Sequence, residues 1–148
     1  MNNYILWLRI SAIMQIITGC VHALTFIQKP VPANETERTL HELMTTYRPD
    51  LGPVFHPTPG DLLNALSACF TFLYLLGGLT NFYLLTKNLA ADVWKGLVYI
   101  NLLVYGAAFL VMLLLTFLPP IALTGLVFIS LCLAYATNHI HRLRLPQN

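Results

Sequence analysis

Four long apolar runs, broken by one long and two short interruptions, organise this chain. They cover residues 4–27, 62–86, 96–118 and 121–138. A helix rises about 1.5 Å per residue, so a hydrocarbon layer ~30 Å thick needs ~20 apolar residues to cross it. The first run carries Arg9 and His22 as its only ionisable side chains besides Tyr4 and Cys20. The second holds no Asp, Glu, Lys, Arg or His, and the shorter last run has no formal charge. In lipid every backbone N–H and C=O must be paired within the protein, so each run is read as a helix. A water-soluble four-helix bundle is the competing reading. Runs this uniformly apolar leave no polar face for water. The expected fold is therefore all-α: a polytopic membrane protein, a four-transmembrane-helix bundle in one domain over residues 1–148.

The first interruption, residues 28–60, is the only sizeable segment outside the spans. Asn34 followed by Glu37 has the spacing of a capping box, in which two side chains satisfy free backbone donors at a helix start. Leu40, Leu43, Met44 and Tyr47 then recur at helical spacing, predicting a short amphipathic helix over 35–47. With charges elsewhere on its surface it is expected to lie flat on the bundle or at the lipid interface. Pro49, Pro53, Pro57 and Pro59 force an extended, turning path into the second span. The loop reads either as a lid over one end of the bundle or as a plain connector.

Charge gives the sidedness. Lys87, Lys95, Arg142 and Arg144 lie beside span ends, and Arg9 lies near the start of the first span. Basic residues close to span ends mark the cytoplasmic side, which places both termini and the 87–95 turn there and the 28–60 loop outside. Only 9% of residues are charged and the formal net charge is +2, too small a surplus to suggest a nucleic-acid partner. Ile17-Thr18-Gly19-Cys20 has the look of a lipoprotein cleavage box, but apolar residues continue past Cys20, and the first run is expected to stay as an uncleaved anchor. Cys20, Cys69 and Cys132 all fall within spans, without the close spacing of a disulfide framework or a zinc site.

Polar residues inside the spans carry whatever chemistry the chain has. Ser11, Gln15, Thr18, His22 and Thr25 share one face of the first helix. Asn64, Ser67, Thr71, Tyr74, Gly78 and Asn81 form a seam along the second. Lipid cannot satisfy such groups, so both stripes are expected to face the interior, and for the small and hydroxyl residues helix packing is the usual role. By the helical rise, His22 lies about 9 Å from the midplane on the loop side, level with Ser67 and one turn below Asn64. Asp61 sits at the mouth. His22, Gln15, Asp61, Asn64, Ser67 and Tyr74 are the candidate ligand-binding residues. A second cluster of Gln15, Asn81, Tyr99, Asn101, Tyr135 and Asn138 is expected in the opposite half. A neutral imidazole in a membrane serves as proton carrier, base or ligand. Haem held by two histidines needs a second His at matching depth, and the spans hold none. Glu37, His41 and His56 lack a third fixed metal ligand. No nucleophile motif or phosphate loop is present, so neither cofactor nor metal is expected.

Three stretches carry a resemblance: Leu8-Arg9-Ile10 leading to Gly19-Cys20-Val21-His22, the start at Asp61 running to Leu76-Gly77-Gly78-Leu79, and Phe117-Leu118-Pro119-Pro120. Together they resemble a group of small bacterial four-helix membrane proteins, and in outline the DoxX-like proteins. The resemblance implies a bacterial inner membrane and, through the DoxX kind, a link to quinone and redox systems. It implies no catalytic residue. Two classes of function remain. One is a non-catalytic membrane protein, either an accessory subunit of a larger membrane complex or a binder of a lipid-like or quinone-like molecule, with membrane lipids as its surroundings. The other is a small membrane enzyme or quinone-reactive protein with a pocket near His22 and Asp61. The first is favoured, because one imidazole and one carboxylate are thin support for catalysis.

Overall fold

The computed structural model describes residues 3–27, 31–52 and 54–143, with side chains as far as Thr137. Five α-helices make up the described chain, with no strand among them: α1 (Asn3–Ala23), α2 (Glu35–Thr46), α3 (Pro59–Leu84), α4 (Ala91–Leu115) and α5 (Leu118–Leu143). A 3₁₀ turn, Leu24–Phe26, extends α1. Four helices are long and apolar enough to cross a membrane, and no more than a third of any of those spans is buried. The remaining surface is mostly Leu, Ile, Val and Phe, including Leu66, Phe72, Leu114 and Leu115. A soluble protein rarely leaves so large a contiguous apolar surface bare, so these side chains face lipid. The fold is an all-helical membrane bundle.

Several boundaries differ from the sequence expectation: α3 starts at Pro59, ahead of the expected 62, α5 runs on to Leu143, and two further shifts have a backbone reason. Pro119 and Pro120 do not form the turn; they sit in the first turn of α5. The opening N–H groups of a helix have no intrahelical acceptor, so proline loses nothing there. The break falls instead at Thr116, which is extended (φ −130°, ψ −167°) and caps α4 by donating its N–H to Met112 O at 3.0 Å. At its other end α4 starts at Ala91, ahead of the expected 96, and takes Asp92 and Lys95 into the helix. An acidic residue in the first turn suits the positive end of the helix dipole.

Contacts group the chain into two compact units, Met1–Thr18 with Tyr74–Asn148, and Gly19–Leu73. In the first unit the helices meet at glycines. Phe109 of α4 and Phe128 of α5 stack with centroids 5.7 Å apart, and each ring lies over a glycine of the other helix. A Cβ on Gly106 would meet Phe128 at 2.9 Å, and one on Gly125 would meet Phe109 at 3.1 Å. Gly78 of α3 lies against the backbone of α1, where a Cβ would stand 2.9 Å from Ala12 O and 2.7 Å from the Ile16 side chain. Small residues allow such approach, and in lipid close packing largely drives helix association.

In the second unit the loop helix is capped as its sequence predicts. Glu37 N donates to Asn34 Oδ1 at 2.9 Å, while Glu37 Oε2 accepts from Ala33 N at 2.7 Å. The start of α3 is closed in the same manner: Asp61 N donates to Thr58 Oγ1 at 3.1 Å, and Thr58 N donates to Asp61 Oδ2 at 2.9 Å. Between the two, Gly52 adopts a positive φ of 111° and donates its N–H to Asp50 Oδ1, a turn that a side chain at position 52 would strain. The expected apolar stripe of α2 is only partly used. No residue of α2 is fully buried, Leu43 is 53% exposed, and Tyr47 is an extended cap residue and 56% exposed. The α2 residues that line the neighbouring cleft are Glu37, Leu40, His41, Met44 and Thr45, and of these Met44 alone is half-buried. Met44 O packs so close to Gly60 that a Cβ there would approach it to 2.8 Å.

Candidate functional site

Three side-chain amides meet inside the first unit, one each from α1, α3 and α4. Asn81 Nδ2 donates to Gln15 Oε1 at 3.0 Å and to Asn101 Oδ1 at 2.7 Å. Gln15 Nε2 donates to Asn101 Oδ1 at 3.4 Å and to Ser11 Oγ at 3.5 Å. Asn101 Nδ2 donates to Leu97 O at 2.8 Å and to Asn81 Oδ1 at 3.4 Å. Each amide has two N–H donors, and every one of them is used. Gln15 is fully buried and the two asparagines nearly so. With every N–H donor of the cluster used, the three amides tie α1, α3 and α4 to one another. Of the second cluster expected from the sequence, Gln15, Asn81 and Asn101 come together. Tyr99 and Tyr135 do not: both are exposed, because a phenol on a long arm can reach the membrane interface from the helix surface. The Asn138 side chain lies outside the described residues.

Tyr74 stands beside this cluster in the same unit. Its ring meets Tyr105 edge-on, with centroids 5.2 Å apart at 71°. The Tyr105 hydroxyl lies directly over Gly77, where any side chain would collide with it. Gln15 and Tyr74 thus belong to the first unit. His22, Asp61, Asn64 and Ser67 belong to the second.

Within the second unit His22 faces α3, but its neighbours are aromatic. The imidazole meets Phe70 edge-on at 4.7 Å and Phe26 at 6.4 Å. Its Nε2 is buried and has no hydrogen-bond partner among the described residues. The expected polar contact with α3 is therefore replaced by packing against the Phe70 ring. Asp61 is occupied by its helix-capping bonds to Thr58 and is exposed to solvent. Ser67 is half-buried, and its carbonyl accepts from Thr71 Oγ1 at 3.1 Å.

Asn64 alone of the six candidates lines a cleft in this unit. This cleft, of about 530 Å³, lies among the end of α1, one face of α2 and the first turns of α3. Phe26, Val31, Leu40, Met44 and Leu63 give it apolar walls. Glu37, His41 and Asn64 add polar groups, with Thr25 and Thr45 beside them. The volume lies within the ~300–1,000 Å³ usual for small-molecule sites. Both threonine hydroxyls bond to backbone carbonyls of their own helical turns. The Glu37 oxygens accept from Ala33 N and Asn34 Nδ2. Among the described residues no hydrogen bond engages the His41 ring or the Asn64 amide, and both side chains are exposed. His41 is a surface position of α2. The signal that finds it is its place among Glu37, Leu40, Met44 and Thr45 on one helical face. Among the described residues no three of His, Cys, Asp and Glu come together as a metal-ligand set.

No family model, no curated protein and no solved structure matches the chain.

Proposed function

We propose that this membrane protein is a non-catalytic binder of a lipid-like amphiphile, which it takes into the cleft beneath α2. The observation that carries the reading is the cleft itself: apolar walls from Phe26, Leu40, Met44 and Leu63, with a few polar groups among them. An acyl chain fits the first and a small polar head the second. The buried amides of α1, α3 and α4 satisfy one another, which suits a scaffold more than a catalytic centre. The competing reading, an enzyme or quinone-reactive centre at His22 and Asp61, has less behind it. Asp61 is engaged in capping α3 and His22 is packed between phenylalanines. Under this proposal both termini face the cytoplasm of a bacterial inner membrane, the cleft opens on the outer side, and membrane lipids are the immediate source of ligand.

The test is photocrosslinking. The full chain is reconstituted in phospholipid vesicles with a single-chain lipid that carries a photoreactive diazirine in its tail. Crosslinked peptides are then mapped by mass spectrometry. The reading requires labelling concentrated on residues 31–45 and 60–64. Labelling spread evenly over lipid-facing positions such as Leu114 and Leu115 would reject it.

A further inference from the structure

Three tyrosines that stay at the surface fall at one level of the first unit. The ring of Phe128 lies over Gly106. Tyr99 stands seven residues from that contact along α4, and Tyr135 seven residues from it along α5. Seven residues make nearly two helical turns, about 10 Å, so each tyrosine keeps the face of its contact residue. The two therefore come level on either side of the seam between α4 and α5. The bond from Asn81 to Asn101 sets α3 against α4 in the same manner, and Tyr83 and Tyr99 lie two residues beyond it, each on its own helix. All three tyrosines are exposed. Exposed phenols at one depth of a membrane protein mark the head-group level, with the ring among acyl chains and the hydroxyl among polar groups.

Lysines flank this level on the side of the 87–95 turn. Lys87 follows Tyr83 by four residues, and Lys95 precedes Tyr99 by four, one turn along the same face of α4. The Lys87 ammonium rests over the Tyr83 ring, 4.6 Å from its centre. Lys95 is exposed, and among the described residues no hydrogen bond or ion pair engages it. Asp92, in the first turn of α4, is the acid nearest to it along the chain. Across residues 84–95 and 138–148 the sequence sets Lys87, Lys95, Arg142 and Arg144 against that one acid, so the charge balance of these stretches is positive.

We propose that Lys95, Tyr99 and Tyr135, all in the first unit, form a head-group site for an anionic phospholipid on the lipid-facing surface of α4 and α5. The Lys95 ammonium takes the phosphate, and the two phenols one turn deeper donate to its remaining oxygens and to the ester below. A zwitterionic head already balances its phosphate with its own choline, whereas a head with a net negative charge draws on the lysine in full. This surface site is separate from the cleft beneath α2 and does not depend on it.

The experiment is native mass spectrometry of the full chain, released from micelles that hold equal amounts of phosphatidylglycerol and phosphatidylcholine with the same acyl chains. The unmodified chain should retain the glycerol lipid about fivefold over the choline lipid, and Lys95→Gln should bring that ratio close to one, the effect of one basic residue at an anionic membrane surface. Lys87→Gln should do less, because its ammonium is held over Tyr83. Tyr99→Phe combined with Tyr135→Phe keeps the rings and removes the hydroxyls, and should lower retention of both lipids. All four positions are exposed, so the fold should tolerate the changes, with circular dichroism as the check. Equal retention of the two lipids by the unmodified chain overturns the proposal. So does a ratio that Lys95→Gln leaves intact or that Lys87→Gln lowers more, and so does unchanged retention in the tyrosine variant. Displacement of phosphatidylglycerol by an equal concentration of inorganic phosphate would reveal a site for a soluble anion and overturn the choice of a lipid.

Discussion

Asn81→Leu tests whether the buried amides hold the helices together. The change keeps the branching at Cγ and removes three hydrogen bonds: two donated by Asn81 Nδ2, to Gln15 Oε1 and Asn101 Oδ1, and one accepted from Asn101 Nδ2. A side-chain hydrogen bond between membrane helices is worth ~0.6 kcal/mol on average, so three come to about 2 kcal/mol. Gln15 Oε1 also loses the donor that serves it, and an acceptor stranded in a dry site adds to the loss. Asn101 fares better, because its Nδ2 keeps Leu97 O at 2.8 Å. Reversible unfolding in mixed micelles, followed by circular dichroism against denaturing detergent, measures the difference. The triple variant Gln15→Leu, Asn81→Leu, Asn101→Leu is the informative companion. Removing all three amides strands only Ser11 Oγ, whose bond from Gln15 Nε2 is a long one at 3.5 Å, so it should recover much of the lost stability and come out well above the sum of three separate losses. The reasoning fails if Asn81→Leu costs less than a few tenths of a kcal/mol, or if the triple variant is worse than the additive expectation.

Three further outcomes are expected. Gly78→Val should destabilise by about 1–3 kcal/mol in the same assay, because its Cβ meets Ala12 O and Ile16, whereas Gly96→Ala, with open space around it, should be neutral or slightly stabilising; equal effects would mean that α1 and α3 do not approach at Gly78. Met44→Asp should speed proteolysis within residues 31–56 and Leu43→Lys should not, since Met44 lines the cleft and is half-buried and Leu43 does neither; faster cutting in the Leu43 variant alone would restore the original stripe. With the three native cysteines replaced, a single cysteine at Val54 should react with an impermeant maleimide from outside intact cells, and labelling only after the cytoplasmic side is opened would reverse the proposed topology.

The four spans and the cap of α2 were legible in the sequence because both depend on local rules. Apolar length alone dictates a crossing, and Asn34 with Glu37 closes a helix start whatever lies around it. The interior face of α1 was legible too, since Ser11, Gln15 and Thr18 recur at helical spacing and all three are buried. Partnership was not legible. Spacing says that Gln15 faces inward, but only the packing of α1, α3 and α4 decides that it meets Asn81 and Asn101. Tyr99 and Tyr135 satisfied the same rule of polarity and stay at the surface. His22 shows the limit most clearly: its periodicity points to a polar neighbour on α3, and the register of the helices supplies Phe70. The cleft depends on the same kind of information. Leu40, Leu43, Met44 and Tyr47 make one plausible stripe and Glu37, Leu40, His41, Met44 and Thr45 another, and a lone helix cannot choose between them. Met44, common to both, comes to rest on Gly60 through its backbone carbonyl, a contact between residues sixteen positions apart that no periodicity along α2 encodes.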